Sequence, residues 1–172
     1  MLTLSVLGAW VATAPRTHAA ILYFVPEKKS AAVGQEFFVD LKVNTEETSV
    51  NAAQATVHFP PDVLELLSVE RSDSVFNFWV EEPSISNDEG ALRFIGGTSK
   101  GVLGNALQIL RMRFKMRGAG SATLSASDAV VTASDGKGTN VLSSVEDLKV
   151  GAGAQATDTS FQETPSAGVP RE

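Results

Sequence analysis

Between Val50 and Glu70 the chain reads VNAAQATVHFPPDVLELLSVE, an order of residues that leaves few folds open. Ala53, Ala55, Val57 and Phe59 fall on one side of an extended backbone, and Ala52, Gln54, Thr56 and His58 on the other. That is the period of a half-buried strand. Pro60-Pro61-Asp62 ends it, because proline cannot donate to a ladder and holds its predecessor extended. Val63 and Leu64 form an apolar plug at the reversal, and Leu66 to Val69 begins a second strand. A strand, a proline corner and a second strand is how a chain crosses between the layers of a two-sheet sandwich.

The remaining segments fit the same architecture. Ile21 to Val25 is a short apolar run ended by Pro26 and reads as a buried first strand. From Glu36 to Asn44, Phe37, Val39, Leu41 and Val43 face in while Asp40 and Lys42 face out. Ala91 to Ile95 puts Leu92 and Phe94 inward and Arg93 and Ile95 outward, and Gly96 to Gly101 reads as a flexible loop. Leu107 to Arg117 sets Leu110, Met112, Phe114 and Met116 against Arg111, Arg113, Lys115 and Arg117. Ser121 to Ser127, Ala129 to Thr132 and Val145 to Val150 complete the set, with turns at Ser86–Gly90 and Ser134–Gly138. Sustained helical periodicity is absent from this whole region. The pattern predicts an all-β protein, an antiparallel two-sheet sandwich of about nine strands.

Both ends of the chain differ in composition from this region. Leu2 to Ala14 is apolar or small, Pro15 breaks it, and Thr17-His18-Ala19 places small residues where a signal peptidase reads. The run is shorter than the about 20 residues a membrane span needs. Residues 1–19 are therefore expected to be a secretory signal, with a start upstream of Met1 because no Lys or Arg precedes the apolar run. Residues 20–150 are the expected domain. Residues 151–172, rich in Gly, Ala, Ser, Thr and Pro, are an expected linker, and the only membrane contact foreseen is through an anchor beyond it.

Composition narrows the function. A net charge of -6 argues against nucleic-acid binding, which needs a basic surface. The absence of cysteine removes disulfides, thiolate nucleophiles and zinc-thiolate sites. His58 is the one histidine of the expected mature chain, so a multi-histidine metal site is excluded, and no serine sits in a nucleophile elbow. The sequence gives no sign of a cofactor or of catalysis. In Asp135 to Asn140 the acidic density is low for calcium, and a tight turn explains the glycines more simply.

Several pieces in order resemble a cohesin domain, the scaffoldin module that captures dockerins in cellulosomes. They are Val33-Gly34 before Phe37-Phe38-Val39, Ser49-Val50-Asn51-Ala52, and the corner Phe59 to Glu65. Further on come Phe76 to Trp79, Ile109 to Lys115 followed by Gly118 to Leu124, and Ser134 to Leu142. The resemblance covers roughly Ile21 to Val150. It implies jelly-roll topology, a non-catalytic extracellular binding module, and a polysaccharide-degradation or cell-surface setting. It also implies a recognition face on the sheet built from the family's third, fifth, sixth and eighth strands. There an Asn and an Asp two residues apart make the main polar contacts. The matching outward positions here are Ala52 and Gln54, so the resemblance implies a partner code without the charge that assists such hydrogen bonds.

On that basis the expected partner face comprises Ala52, Gln54, Thr56, His58, Arg93, Ile95, Gly97, Thr98, Ser99, Thr123 and Ser125. Its partner would be a dockerin-like or other extracellular protein. An alternative is direct polysaccharide binding through Phe76, Phe78 and Trp79, since sugar C–H faces pack on aromatic rings. The simpler reading of that cluster is a seal at one end of the sandwich. A structural spacer of a surface protein is a third reading. Arg111, Arg113, Lys115 and Arg117 are expected on the other sheet, pairing across strands with Glu36 and Asp40.

Overall fold

The computed structural model describes residues 20–153, which form eleven strands and no helix. In chain order they are β1 (Ala20–Pro26), β2 (Ser30–Ala31), β3 (Glu36–Asn44), β4 (Val50–His58), β5 (Leu64–Glu70) and β6 (Phe78–Ser86). Then follow β7 (Ala91–Val102), β8 (Leu107–Met116), β9 (Ser121–Ala133), β10 (Leu142–Glu146) and β11 (Leu148–Ala152). One sheet has five strands in the order β10-β1-β3-β8-β5, and the other has six in the order β2-β11-β9-β4-β7-β6. Neighbours run antiparallel except β1 with β10 and β11 with β2, which are parallel.

Alternation builds the core. Phe37, Val39, Leu41 and Val43 of β3 are buried beside Leu110, Met112, Phe114 and Met116 of β8. Opposite them stand Ala53, Ala55 and Val57 of β4, Leu92 and Phe94 of β7, and Ala122 and Leu124 of β9. Phe114 stacks on Phe37 at 6.1 Å between centroids and meets Phe59 edge-on at 5.3 Å. Each large side chain buried this way contributes about 1.5–3 kcal/mol against solvation.

The proline corner carries the chain from β4 in one sheet to β5 in the other. The Pro60 carbonyl accepts the amides of Val63 (3.1 Å) and Leu64 (2.9 Å), which closes the reversal and buries Leu64. The Phe59 amide donates to the Gly90 carbonyl at 2.8 Å, so the β6–β7 turn is seated on the corner.

Three expectations are corrected. Gly96 to Gly101 is not a loop but the second half of β7. Its glycines make room for rings rather than for motion: a Cβ on Gly96 would lie 2.6 Å from Trp79, and one on Gly97 would lie 2.8 Å from Phe78. The two segments expected around Ser127 and Ala129 are one strand, β9, bent by a bulge. Val145 to Val150 is not a single strand, because the chain changes sheets at Asp147 between β10 and β11. β6 lies at the sheet edge and runs through Pro83 to Ser86, a proline that an edge strand tolerates.

β11 reaches Ala152, two residues beyond the expected end of the domain, with Gly151 and Ala152 paired to Ser30 and Ala31. The expected signal, 1–19, and the linker beyond residue 153 lie outside the described residues. On the outer face of the five-stranded sheet the Arg113 guanidinium donates to Glu36 from Nε at 2.8 Å, and Arg111 lies 4.6 Å over the Phe38 ring. Arg111 and Lys42 both approach Asp40, at 3.7 and 3.6 Å. The exposed Arg113–Glu36 pair contributes about 0–1 kcal/mol, whereas Asp40 is half-buried beneath Arg111 and Lys42.

Candidate functional site

The outer side of the six-stranded sheet is set by the register of its four long strands. Ala52 stands between Gly97 of β7 and Thr132 of β9, and Gln54 between Ile95 and Val130. Thr56 lies between Arg93 and Ser127, and His58 between Ala91 and Ser125. Ala52, Gln54, Thr56, His58, Arg93, Ile95, Gly97 and Ser125 thus form one continuous patch. Thr123 sits at its border, paired with Lys149 of β11. Ser99 is exposed on the continuation of β7.

Thr98 does not belong to this patch. It follows Gly97 in the alternation, turns into the sandwich and is 7% exposed, which corrects its expected place on the surface. Thr56 keeps the expected direction but is itself covered at 9% exposure.

The bulge in β9 adds a residue that the period of the sequence does not reveal. Gln54 pairs with Val130 but Thr56 with Ser127, so Asp128 and Ala129 together oppose Ala55. Asp128 takes φ of 51°, a left-handed conformation that Asp tolerates better than most residues. Its carbonyl accepts the Gln54 amide at 3.3 Å, and its carboxylate accepts the Ser127 hydroxyl at 3.2 Å. His58 Nε2 and the Ser127 hydroxyl lie 2.7 Å apart in a hydrogen bond whose donor is set by the imidazole tautomer. Arg93 donates to Glu89 at 3.1 Å. Between these groups lies a hollow of about 90 Å³ lined by Gln54, Thr56, Glu81, Arg93, Ile95 and Asp128, large enough for one side chain.

The three aromatic candidates separate. Phe76 is buried at 3%, and Trp79 lies edge-on to Phe76 (6.3 Å) and Phe94 (6.2 Å) beneath the Arg71 guanidinium, 5.5 Å from the ring centroid. Only Phe78 turns outward, over Gly97, with 45% of its surface exposed. A shared stacking platform of Phe76, Phe78 and Trp79 is therefore corrected to one core ring, one half-buried ring packed against the core and one surface ring. Glu81, Ser127, Asp128 and Val130 join the outer face without having been picked out from sequence, and Phe78, picked out as a sugar-stacking ring, joins it too. The cross-strand neighbours that place them are set by long-range pairing.

Among the described residues no three His, Asp or Glu side chains come together to hold a metal ion. The Asp135 carboxylate is taken up by its own turn: the Thr139 hydroxyl first and the Lys137 amide second hold its pKa below the ordinary value.

Strand order, sheet pairing and the crossing corner define a two-sheet jelly-roll sandwich. Within that class, the family model described as Cohesin domain matches residues 23–168, and the chain belongs to the cohesin family. The fold is similar to the seventh ScaB type I cohesin of Pseudobacteroides cellulosolvens, with a TM-score of 0.65 and 18% identity over 80% of this chain and 94% of that one. It is similar also to a type I cohesin–dockerin complex from Clostridium thermocellum (TM-score 0.63, 14% identity, 80% and 97% covered). A third likeness is to a non-cellulosomal cohesin from the archaeon Archaeoglobus fulgidus (TM-score 0.63, 15% identity, 80% and 94% covered). At these identities the likeness is one of fold. No curated protein matches the sequence.

Proposed function

We propose that this chain is a secreted, non-catalytic module that holds a dockerin-type protein partner on the outer face of β9-β4-β7-β6, in a polysaccharide-degrading or cell-surface assembly. The observation that carries this reading is the face itself. Phe78, Ile95 and Val130 offer exposed or half-exposed apolar surface around the polar groups of Gln54, Ser127 and Asp128, on strands locked in register. An apolar centre with polar groups at its margin is the anatomy of a protein interface. Similar folds have been solved with dockerins, in the Clostridium thermocellum complex and in an Acetivibrio cellulolyticus cohesin bound to a Cel5 dockerin variant. The leader expected over residues 1–19 supports export.

Because β4 presents Ala52 and Gln54, its own part in the grip is apolar burial and neutral hydrogen bonds, while charge on the face comes from Glu81, Arg93 and Asp128. The test is calorimetric titration of dockerin modules encoded in the same genome. Ile95→Asp, which sets a charge in the middle of the face, is expected to weaken a bound dockerin by at least about thirtyfold. Arg113→Ala, on the opposite sheet, is expected to leave it unchanged. Equal affinity for Ile95→Asp and the parent would remove this face from the interaction.

A further inference from the structure

The outer face of the five-stranded sheet carries a second feature, independent of the partner reading. There β1 turns Ile21 and Tyr23 outward, and Tyr23 stands between Glu146 of β10 and Lys42 of β3. The Tyr23 hydroxyl donates to the Asn105 carbonyl at 2.8 Å, which fixes the ring against the loop of residues 103–106. Burial first, and the Glu146 carboxylate second, raise the Tyr23 pKa, so the hydroxyl stays protonated and keeps that bond. Beside the ring lies an open hollow of about 220 Å³, lined by Ile21, Tyr23, Asn44, Asn105 and Glu146.

The polar groups in this hollow differ in what they can still bind. The Asn44 side chain is held in place by Glu46 through its oxygen (2.9 Å) and its nitrogen (3.1 Å), one bond at each atom. Lys42 is drawn to Asp40. Glu146 makes no ion pair among the described residues, and no hydrogen bond ties down the Asn105 side-chain amide there. What remains is a carboxylate that can accept two hydroxyl donors, an amide that can both give and accept, and an apolar edge from Ile21 and the Tyr23 ring. An anion would be repelled by Glu146, and a cation would find a single carboxylate. A pyranose offers adjacent hydroxyls to the carboxylate and amide and a C–H surface to the apolar edge. The volume is below the about 300–1,000 Å³ of a drug-sized site and suits one ring.

We propose that this hollow is a saccharide subsite, in which Glu146 and Asn105 hydrogen-bond the hydroxyls of one neutral pyranose unit packed against Tyr23 and Ile21. The module would then touch a glycan on one sheet and its protein partner on the other. Its openness sets the affinity for a single unit in the millimolar range.

The test is an amide NMR titration of the full chain with cellobiose, xylobiose, mannobiose and chitobiose in turn. At least one disaccharide is expected to give saturable shifts at Ile21, Tyr23, Asn105 and Glu146. Tyr23→Ala and Glu146→Gln are each expected to weaken that binding at least about tenfold. Tyr23→Phe, which keeps the ring and loses the tether, should weaken it less, and Lys115→Ala should have no effect. Glu146→Gln changes an exposed side chain, so it decides the matter even where Tyr23→Ala does not fold. The proposal is overturned if none of the four disaccharides gives saturable shifts, if the shifts fall on the other sheet, or if binding survives Glu146→Gln.

Discussion

A Phe114→Ala variant is expected to lose about 3–5 kcal/mol of unfolding free energy, read from the midpoint of a urea or guanidinium titration with the slope unchanged. The size follows from where the ring sits. Phe114 is fully buried on β8, stacks on Phe37 of the neighbouring strand and meets Phe59 of the corner edge-on. Removing it takes away a layer contact and a corner contact together. The cavity it leaves is walled by two sheets whose ladders resist collapse. A loss below about 1 kcal/mol would mean that the two layers do not close on this ring.

Gly90→Ala is the second large effect, by a different cause. Gly90 sits at φ of 62°, and an added Cβ would fall 2.1 Å from the Phe59 carbonyl oxygen and 2.9 Å from the Pro61 ring. Left-handed strain costs an alanine about 1–2 kcal/mol, and backbone so close cannot yield without shifting the corner. A total loss of about 3 kcal/mol or more is expected. Gly136→Ala makes the comparison: its φ is 70° and no atom lies within 4 Å of the added carbon, so strain acts alone. Gly90→Ala should therefore destabilise clearly more than Gly136→Ala. Equal losses would show that the β6–β7 turn is not seated on the corner.

β3, β4 and β8 were legible in the sequence because each has one side in the core and one in water, which writes a period of two into the residues. The corner was legible because Pro60 and Pro61 permit little else there. β7 was readable only to Ile95, since Gly96 and Gly97 have the composition of a loop. Their role depends on the rings of Trp79 and Phe78, which arrive from another strand. β9 looked like two strands because Asp128 interrupts a row of Ser, Thr and Ala, and a bulge is a property of the pair rather than of one chain. The end of the domain looked like one strand because the change of sheets at Asp147 leaves no mark in residue type. The candidate face was half readable for the same reason. Its β4 residues follow from alternation, whereas Asp128 and Phe78 join it only through pairing, and Thr98 leaves it once the supposed loop becomes a strand.

Amide hydrogen exchange of the chain, alone and saturated with a dockerin it binds, tests most directly whether the six-stranded sheet's outer face is where a protein partner is held. Added protection is predicted in β4, β6, β7 and β9, strongest around Gln54, Phe78, Ile95 and Asp128, with β1, β3 and β8 unchanged. Protection confined to β1, β3 and β8, or none on any strand, would contradict it.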